Sequence, residues 1–160
     1  MSRTIAIIGC GNANRSDDGV GSYVIRQLQN NASLSEDICL YDTGTNGMEV
    51  MFKARGSSEL ILIDACQSGR PVGSLFEIPG DQLQHIPEPG LNLHNFRWEN
   101  ALYAGRKIFA GKFPAVVTVY LIEAETLALG LELSASVRRT ADELVQRIVQ
   151  RYSPGNWRRA

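Results

Sequence analysis

The sequence predicts an α/β domain, a three-layer α/β/α sandwich built on a mostly parallel, twisted sheet. Three observations predict it. Unbroken aliphatic runs recur at Ile5-Ala6-Ile7-Ile8, at Leu60-Ile61-Leu62-Ile63 and from Ala115 to Ile122, as expected of parallel strands covered on both faces. Segments with apolar residues every three or four positions lie between them, which is the helical period. Acids and glycine-rich turns stand where these runs end, and in an open α/β sheet that edge is where ligands bind.

The first strand ends in Gly9-Cys10-Gly11-Asn12-Ala13-Asn14-Arg15-Ser16-Asp17-Asp18-Gly19, and a helix face follows at Val20, Tyr23, Val24 and Leu28. A second strand is expected over Asp37–Asp42, ahead of the turn Thr43-Gly44-Thr45-Asn46-Gly47 and a short helix carrying Met48, Met51 and Phe52. Leu60–Ala65 is the next strand. Ser74–Ile78 alternates and suits an edge or antiparallel strand, whereas Pro79–Leu93, with three prolines and two glycines, reads as loop. A helix is expected from about Asn95 to Phe109, with Trp98, Leu102, Gly105 and Phe109 on one side, before the last strand from Ala115. Ser134 stands where a side chain would cap the final helix, whose Val137, Ala141, Leu144, Val145, Ile148 and Val149 form an apolar stripe. The chain divides into one domain, 1–152, and a short basic tail, 153–160.

Composition narrows the function classes. The 160 residues are 44% hydrophobic with a formal charge of −1, which gives no electrostatic reason to expect nucleic acid or an anionic membrane. No apolar run approaches the roughly 20 residues that span a bilayer. Three cysteines, Cys10, Cys39 and Cys66, have no metal-ligand spacing, and the expectation is reduced thiols in a cytoplasmic protein.

Three acids stand at or just past strand ends: Asp18 with its neighbour Asp17, Asp42, and Asp64. A phosphate would be repelled by the carboxylate pair inside the first turn, and a cation attracted. Each acid also has a plainer reading: a helix-start residue for Asp17 or Asp18, a turn former for Asp64, and an Asx turn before Gly44 for Asp42. Glu123 and Glu125 are read as a solvated strand end, and Cys10 as a small buried residue. Two histidines, His85 and His94, share one loop region, and pattern alone does not separate them. Two carboxylates and one imidazole would make a mixed oxygen and nitrogen site suited to a divalent transition metal with open positions. Alternatives at this stage are a metal-dependent hydrolase or amidase, or a noncatalytic metal- or nucleotide-binding module; the nucleotide reading lacks a suitably placed third glycine.

The segment from Ile8 to Gly21, then Asp42–Gly47, Leu62–Ala65, Pro71–Leu75, Leu93-His94 and Leu133-Ser134, in that order, resembles the [NiFe]-hydrogenase maturation proteases. Thr43 stands where that family has glycine, Ala13-Asn14-Arg15 is more polar than its pattern, and Tyr120–Glu125 lacks its glycine and proline. The resemblance implies an α/β sandwich that removes a C-terminal extension from a hydrogenase large-subunit precursor after nickel insertion. It implies nickel-contacting residues Asp18, Asp64 and His94, and a substrate-binding turn at Asp42, Gly44 and Thr45. It further implies nickel delivered within the substrate, with no tightly bound resident metal.

Overall fold

The computed structural model describes residues 3–83 and 97–156. Five strands form one sheet: β1 (Ile5–Cys10), β2 (Ile38–Gly44), β3 (Glu59–Cys66), β4 (Leu75–Pro79) and β5 (Val116–Glu123), in the order β2-β1-β3-β5-β4. All pairings are parallel except that of β4, which lies antiparallel to β5 at the sheet edge. The alternating Leu75–Ile78 pattern therefore belongs to an edge strand, which needs only one fully apolar face.

Four α-helices cover the sheet: α1 (Val20–Gln29), α2 (Gly47–Ala54), α3 (Trp98–Phe109) and α4 (Ala135–Arg151). Successive side chains of a strand point to opposite faces, so each aliphatic run feeds two cores. Ile5, Ile7, Ile61 and Ile63 pack with the stripes of α1 and α4. Ala6, Ile8, Leu60 and Leu62 pack with α2, α3 and Phe113. This two-sided burial is why the strands read as unbroken apolar runs. Close approach of α1 to β1 requires glycine at Gly21, since a Cβ there would stand 2.6 Å from the Cys10 amide nitrogen.

The sheet order places the topological switch at β1. The chain leaves β1 through α1 to β2 on one side, then crosses to β3 on the other. A crevice forms at the carboxyl end of a strand where such connections diverge. At the opposite edge Glu59 is 1% exposed, accepts the Tyr152 hydroxyl at 2.6 Å and lies near the guanidinium groups of Arg3 and Arg151. Among the described residues no helix is long and apolar enough to cross a membrane, and Cys10, Cys39 and Cys66 are all free thiols.

Candidate active-site cleft

At the carboxyl ends of β1, β2 and β3 opens a cleft of about 310 Å³, lined by Asp18, Asp64, Gly44, Thr45, Trp98 and Leu127 among others. Gly11 sets its floor. Its φ of +117° is a conformation few side chains tolerate, and a Cβ there would run into the Asp18 carbonyl and stand 3.2 Å from Asp64 Oδ1. The turn passes beneath both acids because it has no side chain.

Asp64 is 2% exposed. Its Oδ1 accepts the Ala65 amide at 2.8 Å, its Oδ2 accepts the Trp98 indole N–H at 3.0 Å, and the Arg97 guanidinium lies 3.6 Å away. Burial pushes its carboxyl up to about 6, with the neighbouring Asp18 charge adding to the rise, while the Ala65 amide, Arg97 and Trp98 oppose it. Asp18 is half-buried and accepts the Asn12 amide at 2.9 Å. That amide is the donor a phosphate would have needed, so the turn offers carboxylates where a nucleotide reading requires N–H groups. Two anionic side chains in one crevice repel each other, and a cation placed between them relieves that repulsion.

The two adjacent aspartates divide the work. Asp17 is fully buried and does not face the cleft. Its carboxylate accepts the amides of Glu125, Thr126 and Ser134 and the Ser134 hydroxyl, at 2.7–3.2 Å. The short 3-10 turn Ser16–Gly19 is thereby fastened to the segment between β5 and α4. This corrects the expected capping role of Ser134: it holds the N-cap position, but its hydroxyl goes to Asp17 and makes no cap bond to α4.

Glu123 also departs from expectation. It is 3% exposed rather than solvated, and gathers the loop after β3 by accepting the Ser68 amide and hydroxyl, the Gly69 amide and the Cys66 thiol. The Ser68 hydroxyl leads the interactions that hold its carboxyl below the usual range. Glu125 is exposed. Cys10 lines the cleft as a small buried residue, its thiol pushed up to about 12 chiefly by burial and next by Asp64.

In the second turn Asp42 Oδ1 accepts the Gly44 amide at 3.1 Å, the expected Asx turn. Gly44, at φ +54°, carries the left-handed conformation, so Thr43 does not need to be glycine. Thr43 is buried and its hydroxyl donates to the Gly9 carbonyl at 3.3 Å. Gly44 and Thr45 line the cleft, whereas Asp42 borders a shallower adjoining hollow with them. Asn46 caps α2 by accepting the Glu49 amide.

His94 and His85 lie outside the described residues. Among the described residues no three His, Cys, Asp or Glu side chains are grouped to hold a metal ion; the carboxylates that line the cleft are Asp18 and Asp64, with the Cys10 thiol beside them. Sequence reasoning missed Arg97 and Trp98 as partners of Asp64. Trp98 had been placed only on an apolar helix face, and the one available signal was that Arg97-Trp98 opens α3, where the helix end meets the sheet edge.

A doubly covered, mostly parallel sheet with a carboxylate-lined cleft at its switch point defines an open-sheet α/β protein with a ligand cleft at the carboxyl edge. A family model of hydrogenase maturation proteases (HycI) matches residues 22–151, and the chain belongs to that family; it is a peptidase. The hydrogenase expression/formation protein HoxM of Cupriavidus necator is 25% identical over 148 residues, which is 92% of this chain and 71% of that protein. The hydrogenase 2 maturation protease of Escherichia coli is 23% identical over 91% of this chain and 88% of its own length. In fold, the chain resembles the hydrogenase maturating endopeptidase HybD from Escherichia coli, with a TM-score of 0.74 at 20% identity over 91% of this chain and 89% of that one. The [NiFe] hydrogenase maturation protease HycI from Thermococcus kodakarensis gives 0.71 at 18% identity, over 92% and 90%.

Proposed function

We propose that this peptidase removes the C-terminal extension of a [NiFe]-hydrogenase large-subunit precursor after nickel insertion, in the cytoplasm, with the nickel carried by the substrate as its recognition mark. The observation that carries the reading is the pairing of Asp18 with a buried, proton-hungry Asp64 in one cleft at the switch point. An arriving divalent ion stabilises that pair, while a nickel-free precursor brings nothing to offset it. In this reading Asp18, Asp64 and His94 contact the nickel. His94 precedes Arg97 by three residues, a reach of about 10 Å at full extension, and Arg97 lies beside Asp64. Gly44 and Thr45 contact the peptide along the cleft, with Asp42 holding their turn. Ala65 and Trp98 keep the Asp64 carboxylate in one orientation, so the ligand arrives preformed.

The test is incubation with nickel-loaded and nickel-free precursor, followed by intact mass measurement of both products. Cleavage of the loaded form alone is expected. Equal processing of both forms removes nickel recognition, and cleavage of neither removes the endopeptidase role. His94→Ala is expected to abolish processing while His85→Ala leaves it nearly intact; the reverse result moves the nitrogen ligand to His85.

A further inference from the structure

We infer that the segment between β5 and α4 is the surface on which the protein substrate docks, with Leu129 and Leu131 as its contact side chains. This rests on the reading of the chain as a precursor-processing endopeptidase and names the part of the enzyme that selects the precursor. Leu129 and Leu131 are 83% and 80% exposed, against 65% or less for the other exposed large hydrophobics among the described residues. The segment is held by backbone bonds to residues 14–17: Asp17 N–H to the Thr126 carbonyl, Ser16 N–H to the Gly130 carbonyl and Gly130 N–H to the Asn14 carbonyl, at 2.8–3.2 Å. Side chains add to it, with the Arg15 Nε–H donating to the Leu127 carbonyl, the Ser16 hydroxyl to the Ala128 carbonyl, and Asp17 gripping both ends of the segment. Gly130, between the two leucines, packs against Ser16: a Cβ there would stand 2.7 Å from Ser16 Oγ and displace that hydroxyl from the Ala128 carbonyl. The segment that carries the leucines is thus fastened to the short turn that presents Asp18.

The occupant is the folded body of the precursor, through an apolar patch. Leu127, two residues before Leu129, lines the cleft with Asp18 and Asp64, so the wall of the cleft continues into the exposed leucines. A cleft of about 310 Å³ holds only a short stretch of peptide, while specific recognition of a protein partner buries about 800 Å² on each side. The remaining contact area has to come from the rim.

The experiment compares the wild type with the double variant Leu129→Ser, Leu131→Ser and with Ile108→Ser, an apolar-to-polar control at the far end of α3. Each is measured for KM and kcat on nickel-loaded precursor, for Kd with the same precursor, for melting, and for sedimentation. For the double variant KM and Kd are expected to rise about tenfold or more with melting unchanged, and the control to match the wild type. Unchanged KM and Kd in the double variant overturn the inference while wild-type cleavage keeps the endopeptidase reading. A shift from dimer to monomer with unchanged KM also overturns it, assigning the leucines to self-association. A wild type that binds the precursor without cutting it sinks the endopeptidase reading alone, with docking still decided by Kd. A wild type that neither binds nor cuts sinks both.

Discussion

Asp64 follows the aliphatic run of β3, two residues before the strand's end, and each of its oxygens has a hydrogen-bond partner within 3.0 Å. Its carboxyl stands at about 6, against 3.8 in the unfolded chain, so the folded state binds this proton more tightly. The stability tied to it is complete below about pH 4 and is lost as pH rises through about 6. At neutral pH its ionisation opposes folding. Asp64→Asn removes the charge but keeps one acceptor oxygen for two donors, the Ala65 amide and the Trp98 indole N–H, so it is expected to flatten the pH 4–6 slope, with the relief from the lost charge offset by an unpaired N–H costing about 1–3 kcal/mol, while processing is lost. Urea unfolding of both proteins at pH 4.5 and pH 7 checks the slope; a variant whose stability falls between those pH values as steeply as the wild type's contradicts it. Cys10 is a second residue whose surroundings set its chemistry. With its thiol up at about 12 and the side chain buried, almost no thiolate forms at neutral pH. Iodoacetamide is expected to spare Cys10 in the native protein and modify it in urea, as read by peptide mass; rapid native labelling would show an open, activated thiol instead.

The strands and helices were largely legible in the sequence because side-chain period is a local property of a backbone conformation. Unbroken aliphatic runs placed β1, β3 and β5 within a residue or two, β2 was placed as closely, alternation gave β4, and the 3.6 period gave the stripe of α4. The ends of elements were harder, as at Ser134, whose hydroxyl has a stronger acceptor in Asp17 than the first turn of α4 would provide. Asp17 makes the 3-10 turn and the segment before α4 one unit. Asp17→Ala leaves three amides and a hydroxyl without their acceptor, with an expected cost of about 3 kcal/mol. Hydrogen exchange in residues 125–133 is expected to rise far more than in β1. Uniform loss of protection throughout the sheet would show that the turn and the segment are not a separable unit. Glu123 does the same for the loop at 66–70, and Glu123→Gln, which retains one acceptor oxygen, is expected to free that loop only in part.

At the scale of the molecule the two edges of the sheet have different jobs. The amino edge is closed by Glu59 and Tyr152, and Tyr152→Phe is expected to lower stability by about 1.5 kcal/mol without changing processing, as a denaturant midpoint and a rate would show. Arg3 and Arg151 are half-exposed and add little to that tie. The carboxyl edge is left open for the cleft. Deleting residues 153–160 is expected to leave both midpoint and rate unchanged, since the tie is made before them; loss of either would place the tail within the domain. Composition, period and strand-end acids were enough to indicate an α/β domain with Asp18 and Asp64 at one edge, because each of those signals is written in neighbouring residues. They were silent on which of two adjacent aspartates faces the cleft and on where Glu123 points. Asp17 is turned inward by amides 108, 109 and 117 residues away, and Glu123 by a loop 55 residues before it. Those partners come together only when the sheet closes, so it is the folded arrangement that makes one carboxylate a fastening and places the other on the wall of the cleft.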